Sequence, residues 1–285
     1  MIYVSNFKAD SVVVFTPEAG GNAAPVHAIA GVQTGLSGPV GLAIDGQCNL
    51  YVANRTGAGV TVYGAAANGD VAPLRTLRVP ATTQALAVAL GLDGNAWVAT
   101  CPRAEATCPP AIVHFPPGAT ESDYAIAGPH TGLTWPVALA SCPGGLLYVA
   151  NAFGGVVSAF ATDAVGDASP LQSFTAATSS TRAIACGADT LVLTGPGIYL
   201  YAGVPPNGPA AVFGRSSVLS LQYASGVALD ARAENPVIYV ADYAADALRI
   251  IDIAGAPPRL AVAHARAIEG AMTGLDGPVG VLCAP

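Results

Sequence analysis

Pro39–Asn54, PVGLAIDGQCNLYVAN, reads as two short apolar strands joined by a turn. Ile44 gives way to Asp45-Gly46, the turn passes Asn49, and Leu50–Ala53 resumes the apolar run. The second strand recurs along the chain. Its copies are Tyr3-Val4-Ser5-Asn6, Tyr51-Val52-Ala53-Asn54, Trp97-Val98-Ala99-Thr100, Tyr148-Val149-Ala150-Asn151, Leu191-Val192-Leu193-Thr194 and Tyr239-Val240-Ala241-Asp242. Successive copies stand 43 to 51 residues apart. A period of roughly 40–50 residues built from strands alone is that of a β-propeller blade. Six anchors in 285 residues predict six blades.

Each repeat supplies four strands, which in the second copy read PVGLAI, NLYVAN, GVTVYGA and PLRTLRV. The first lines the central channel and the fourth lies outermost. Gly- and Pro-bearing links such as Thr34–Val40, Thr131–Val137 and Thr273–Val279 turn the chain from the rim back to the axis. The chain opens on a second strand, Met1–Asn6, and finishes on a first strand, Pro278–Cys283. The expectation is therefore an all-β, six-bladed propeller, a single domain over 1–285 with four antiparallel strands per blade. Its C-terminal strand completes the N-terminal blade, which closes the ring and removes open sheet edges.

Hydrophobic residues make up 52% and charged residues 10%, against about 25% charged in an average soluble domain. A net charge of −7 with a single lysine, Lys8, argues against a nucleic-acid partner, which calls for a basic face. It also disfavours anchoring on anionic lipid. The uncharged run 144–162 contains Asn151 and two glycine pairs and reads as a hairpin, not a membrane span. Arg259–Gly270 reads as an outer strand with a tail.

The low charge and six cysteines predict an extracellular or periplasmic protein with its leader removed, since no signal peptide precedes the first strand. Cys101 and Cys108 flank a short insertion and are expected to pair locally. Cys142 with Cys186, and Cys48 with Cys283, fall in neighbouring blades and are further candidate bridges; the alternative for these four is buried free thiols.

The blade motif, Gly/Ala-apolar-Ala ending in Asp and then Asn/Gly-Leu-Tyr-Val-Ala-Asn/Asp, resembles the NHL-repeat proteins. It is also similar to the wider six-bladed group of gluconolactonases, strictosidine-synthase-like proteins, the amidating lyase and streptogramin lyases. The resemblance to gluconolactonases implies a divalent metal held by carboxylates and Asn at the channel mouth. The first strands carry no Glu, and Asp45 and Asp230 fall in turns at the exit ends. A hard cation requires several oxygen ligands, so no metal or other cofactor is expected. The lyases place histidines at the channel. His27, His114 and His264 map to third or fourth strands, leaving His130 alone in a connector expected at the mouth. HExxH, GxSxG and phosphate-loop motifs are missing.

The residues closing the second strands (Asn6, Asn54, Asn151, Asp242, Thr100, Thr194) recur in every blade and read as turn devices. Asn54-Arg55-Thr56 also matches a glycosylation sequon. Loops into first strands and loops out of second strands share one face of a propeller. Gln84, Trp135, Arg182 and Tyr223 belong to the first set, with Phe7, Lys8, Arg55, Arg103, Phe153 and Tyr243 in the second. Arg182 sits at the entrance of an inner strand where other copies are small or apolar. The candidate ligand-binding residues are Trp135, Arg182, Tyr223, Gln84, Phe153, Tyr243 and Arg55. The plainer alternative pairs Arg182 with a neighbouring acid and packs Trp135 into a blade junction. The reading is a non-catalytic, monomeric binding module for a protein, peptide or small anionic ligand. A metal-assisted lyase or lactonase, with His130 as ligand or base, is the alternative; a structural domain of a longer surface protein is the third.

Overall fold

A computed structural model of the protein describes residues 1–102, 110–203, 211–213, 221–232, 236–254 and 261–284. Among them, 24 strands form six four-stranded antiparallel sheets. The first blade takes β1 (Ile2–Asn6), β2 (Ser11–Phe15) and β3 (His27–Ala30). The second holds β4 (Pro39–Ile44), β5 (Leu50–Asn54), β6 (Gly59–Tyr63) and β7 (Arg75–Arg78), and the third β8 (Thr83–Leu90), β9 (Ala96–Pro102), β10 (Ala111–Phe115) and β11 (Tyr124–Ile126). The fourth comprises β12 (Pro136–Cys142), β13 (Leu146–Asn151), β14 (Val156–Ala161) and β15 (Gln172–Thr175). In the fifth are β16 (Ala183–Cys186), β17 (Thr190–Thr194), β18 (Ile198–Ala202) and β19 (Ala211–Phe213). The sixth has β20 (Ala224–Asp230), β21 (Val237–Asp242), β22 (Ala247–Ala254) and β23 (Ala261–Glu269). Last, β24 (Pro278–Cys283) returns to pair with β1, Val281 opposite Val4, and completes the first blade as expected.

The innermost strands β24, β4, β8, β12, β16 and β20 each touch the next around the ring. Side chains alternate across a strand, so each blade presents one apolar set to each neighbour. Middle strands therefore read as unbroken apolar runs, and six separate clusters fill the six junctions. Tyr51 and Val62, for example, meet Val88 and Phe115 between the second and third blades. The run 144–162 is the β13–β14 hairpin, and no helix among the described residues is long and apolar enough to cross a membrane.

Close approach of the inner strands explains three glycines. A Cβ on Gly280 would lie 2.0 Å from the Val40 carbonyl oxygen, one on Gly226 2.2 Å from that of Val279, and one on Gly41 2.8 Å from the Ala87 Cα. Residues closing the second strands act as turn devices. Asn54 Oδ1 accepts from Ser37 N–H while its Nδ2 donates to the Val52 and Gly59 carbonyls and to Thr61. Asn54 is 1% exposed and its amide is spent on the fold, so the sequon offers no accessible acceptor.

A second device repeats at three junctions. Thr34, Thr131 and Thr273 each donate to the carbonyl of the glycine three residues earlier and accept from the N–H two residues later. Asp70, Asp167 and Asn22, from outer loops of the following blade, each accept the N–H of Gln33, His130 and Met272 in these connectors.

Cys142 and Cys186 form the expected bridge between neighbouring inner strands, with Cα atoms 5.8 Å apart. Cys101 is disulfide-bonded, while Cys108 lies outside the described residues. The pairing of Cys48 with Cys283 is overturned, since both are free thiols. The reason is strand alternation: Cys283 turns toward Asp230, 3.6 Å away, on the sixth-blade side. Its neighbour Leu282 packs with Tyr3 toward the second blade, the side on which Cys48 lies.

Candidate ligand-binding bowl

Five of the six inner strands are irregular at their start. The register slips at Pro39/Leu42, Ala85/Ala87, Pro136/Ala138 and Ala224/Gly226, and at Ser5/Asn6 opposite β24. A bulge re-aims side chains and bends the strand that carries it. Here the slips fall at Val40, Leu86, Val137, Ser225 and Val279. These five, together with Arg182 just ahead of β16, line both the narrow central channel and a wide bowl above it. Arg182 is the one charged side chain of the six.

The bowl has a volume of about 670 Å³, within the usual range for small-ligand sites. Phe7, Arg55, Phe153, Tyr223 and Tyr243 build its wall. Phe153 is 67% exposed and Tyr223 43%, a large aromatic surface left facing solvent. Two turn devices hold this wall. Asn151 accepts the N–H of Trp135, and Asp242 accepts those of Gln222 and Tyr223. Tyr223 and Tyr243 meet edge to face at 5.9 Å.

Arg182 rests with its guanidinium carbon 3.7 Å from the Tyr223 ring centre. Its Nη1 donates to the Gly195 carbonyl at 2.8 Å and to that of Ala224 at 3.5 Å. No carboxylate among the described residues lies within ion-pair distance of it, so the expected alternative of an acidic partner does not hold there. Arg55 Nε donates to Gln84 Oε1, and Gln84 Nε2 to the Pro102 carbonyl. Lys8 stands 4.9 Å from the Tyr243 ring and is neutralised by Asp246 and Asp276. The described lining of the bowl thus carries two arginines and no acid, on a chain of net charge −7.

Of the residues singled out from sequence, Arg182, Tyr223, Phe153, Tyr243 and Arg55 come together on the bowl. Gln84 stands behind Arg55 as its acceptor. Trp135 does not line the bowl; it packs on Leu86 and Cys101 and meets Phe153 edge to face at 6.0 Å, as the alternative reading had it. Arg103 lies outside the described residues. Ser180 and Thr181, which also line the bowl, were missed because short polar residues in a loop carry no distinguishing pattern.

His130 is not at the mouth, which corrects the expectation from its connector. Its Nδ1 lies 2.6 Å from Asp167 of the next blade's outer loop, because the connector begins at the outermost strand and its first turn is still at the periphery. His114 is buried in β10, with Nδ1 2.6 Å from Asp123 and its ring stacked on Tyr124. Asp45 is a turn residue, accepting the N–H groups of Gln47 and Asn49. Among the described residues, no three His, Cys, Asp or Glu side chains gather as metal ligands.

No protein-family model and no curated protein matches the chain. Solved structures do. A Bacteroides caccae protein of unknown function is 12% identical at a TM-score of 0.62, covering 99% of this chain and 97% of that one. The PQQ-bound aldose sugar dehydrogenase of Streptomyces coelicolor is 17% identical at 0.61, covering 94% and 90%. An inactive variant of virginiamycin B lyase from Staphylococcus aureus, solved with quinupristin, is 15% identical at 0.52, covering 84% and 73%. What they share with this chain is the six-bladed ring. At such identities the likeness is one of fold, and fold does not carry chemistry with it.

Proposed function

We propose that this propeller is a non-catalytic binding module which receives an anionic end of a peptide or small molecule in the bowl, outside the cytoplasm. One observation carries the reading: Arg182 sits on the bowl floor, braced by Tyr223 and Gly195, with Nε and Nη2 lacking any acceptor among the described residues. A guanidinium held this way offers a preorganised fork to a carboxylate. The exposed aromatics around it supply contact area for the rest of the guest. The cross-blade disulfide supports an oxidising compartment. Lyase or lactonase chemistry finds no support in the described lining, which holds no acid, histidine or cysteine. The module works as a monomer and contacts neither nucleic acid nor membrane.

Calorimetric titration of wild type and Arg182→Gln with short peptides ending in a free carboxylate tests this. A loss of at least tenfold in affinity is expected for the variant. Equal affinity for the two proteins overturns the assignment.

A further inference from the structure

Arg182 has a counterpart across the bowl. The inner strands touch in the ring order β24, β4, β8, β12, β16, β20 and back to β24. Strands β4 and β16 are therefore three steps apart in either direction and stand on opposite sides of the axis. Arg182 immediately precedes β16. Arg55 follows β5, and its N–H donates at 2.9 Å to the carbonyl of Gly38, just ahead of β4. The two arginines that line the bowl thus face it from opposite blades.

Both ends are open to a guest. Arg55 is exposed, and with its Nε on Gln84 neither Nη1 nor Nη2 has an acceptor or an acidic partner among the described residues. Beside Arg182, Thr181 also lines the bowl; it is 1% exposed and its hydroxyl has no hydrogen-bond partner. A buried hydroxyl left unpaired is costly, and an oxyanion bound at that end supplies an acceptor. Between the two cations the wall is aromatic on both arcs. Phe153 of the fourth blade stands on one, Phe7 of the first and Tyr243 of the sixth on the other.

Resting on the reading of Arg182 as a carboxylate anchor, we propose that the guest is a dicarboxylate with an apolar spacer. One carboxylate pairs with Arg182, the other with Arg55, and the spacer crosses the axis between the aromatic rings. The placement of charge carries this inference: two cations on opposite blades, rings along both arcs between them, and no acid in the described lining. A monoacid leaves one cation unmatched, and a diacid with both carboxylates on one carbon reaches only one of them.

Calorimetric titration with suberate, monomethyl suberate, malonate and monomethyl malonate tests the span. Wild type is expected to bind suberate roughly fivefold more tightly than its half-ester, the upper end for a charge pair at an exposed site. Malonate, too short to cross, gains nothing over its own half-ester. Arg55→Gln, at an exposed side chain, removes the difference between suberate and its half-ester, whereas Arg182→Gln weakens both. Should suberate and its half-ester bind wild type equally, malonate gain as much as suberate, or Arg55→Gln leave the difference intact, the second anchor is overturned while the carboxylate site at Arg182 stands. If neither suberate nor its half-ester binds wild type at millimolar concentration, or Arg182→Gln binds both as wild type does, both readings fail.

Discussion

The guanidinium carbon of Arg182 and the ring of Tyr223 are 3.7 Å apart, closer than either other cation–ring pair in the described molecule. A cation over an aromatic face gains about 0.5–2 kcal/mol, more when desolvated. The ring also fixes the direction in which the fork points. Tyr223→Phe is expected to keep peptide affinity within about twofold, because the ring face is what matters. Tyr223→Ala should lower it by roughly three- to thirty-fold, the affinity ratio equivalent to that energy range. Calorimetry on both variants checks it; an unaffected Ala variant would separate Arg182 from Tyr223.

Gly280 faces the Val40 carbonyl with no space for a methyl group, whereas Gly46 has nothing within 4 Å. Gly280→Ala forces two inner strands apart and is expected to lower stability by about 1–3 kcal/mol or more. Gly46→Ala should sit close to wild type. Urea-unfolding midpoints of the two variants decide it.

The Cys142–Cys186 bridge closes a segment of 44 residues between the fourth and fifth blades. In the chain-entropy account such a loop is worth about 4 kcal/mol. The double variant Cys142→Ser, Cys186→Ser is expected to unfold at correspondingly lower urea while Arg182 still binds its guest. Reducing agent should lower the midpoint of wild type by more than that of the double variant, in which the Cys101 disulfide alone remains to be reduced.

Arg232 chelates Asp230 through two hydrogen bonds of 2.8 and 2.7 Å and holds its carboxyl down to about 2, against an ordinary 3.8. A carboxylate with a depressed folded-state pKa stabilises the fold above its unfolded value and loses that contribution as pH falls. The loss should therefore run from just above pH 3.8 down to about 2. Asp230→Asn is expected to flatten the acid limb of the stability profile in that window and to leave its shape above pH 5 unchanged. Urea midpoints across the acid range are the measurement.

Much of the ring was legible in the chain because each repeat solves the same packing problem with the same residues. Tyr51, Tyr148 and Tyr239 are buried at one register position, so the motif announces itself. Closure by Pro278–Cys283 followed from where the repeat was cut. The bowl was legible only where a residue broke its repeat: Arg182 stood out because its counterparts are apolar or small. Bulges left no comparable trace, since they depend on cross-strand register, and register placed Val40 and Ser225 on the floor. Trp135 misled because loop membership fixes a residue's face of the disc without fixing which way its side chain turns. Cys48 and Cys283 misled for the same reason, adjacent blades being judged without the alternation that separates their thiols. One repeat went unread: Gly21-Asn22, Gly69-Asp70 and Gly166-Asp167 each precede a Pro by three residues and supply the junction latches.

The bulged floor assigns one residue to each blade, as on a dial with six marks. Chemistry at the mouth is thus separable from the frame that presents it: changing a mark alters what the bowl greets, and changing a glycine behind it alters whether there is a bowl. Arg182 sets the pointer at the fifth mark. Carried to Val279, an arginine would turn that pointer by two blades with the same walls around it, so the address of the proposed anion would be written in a single side chain.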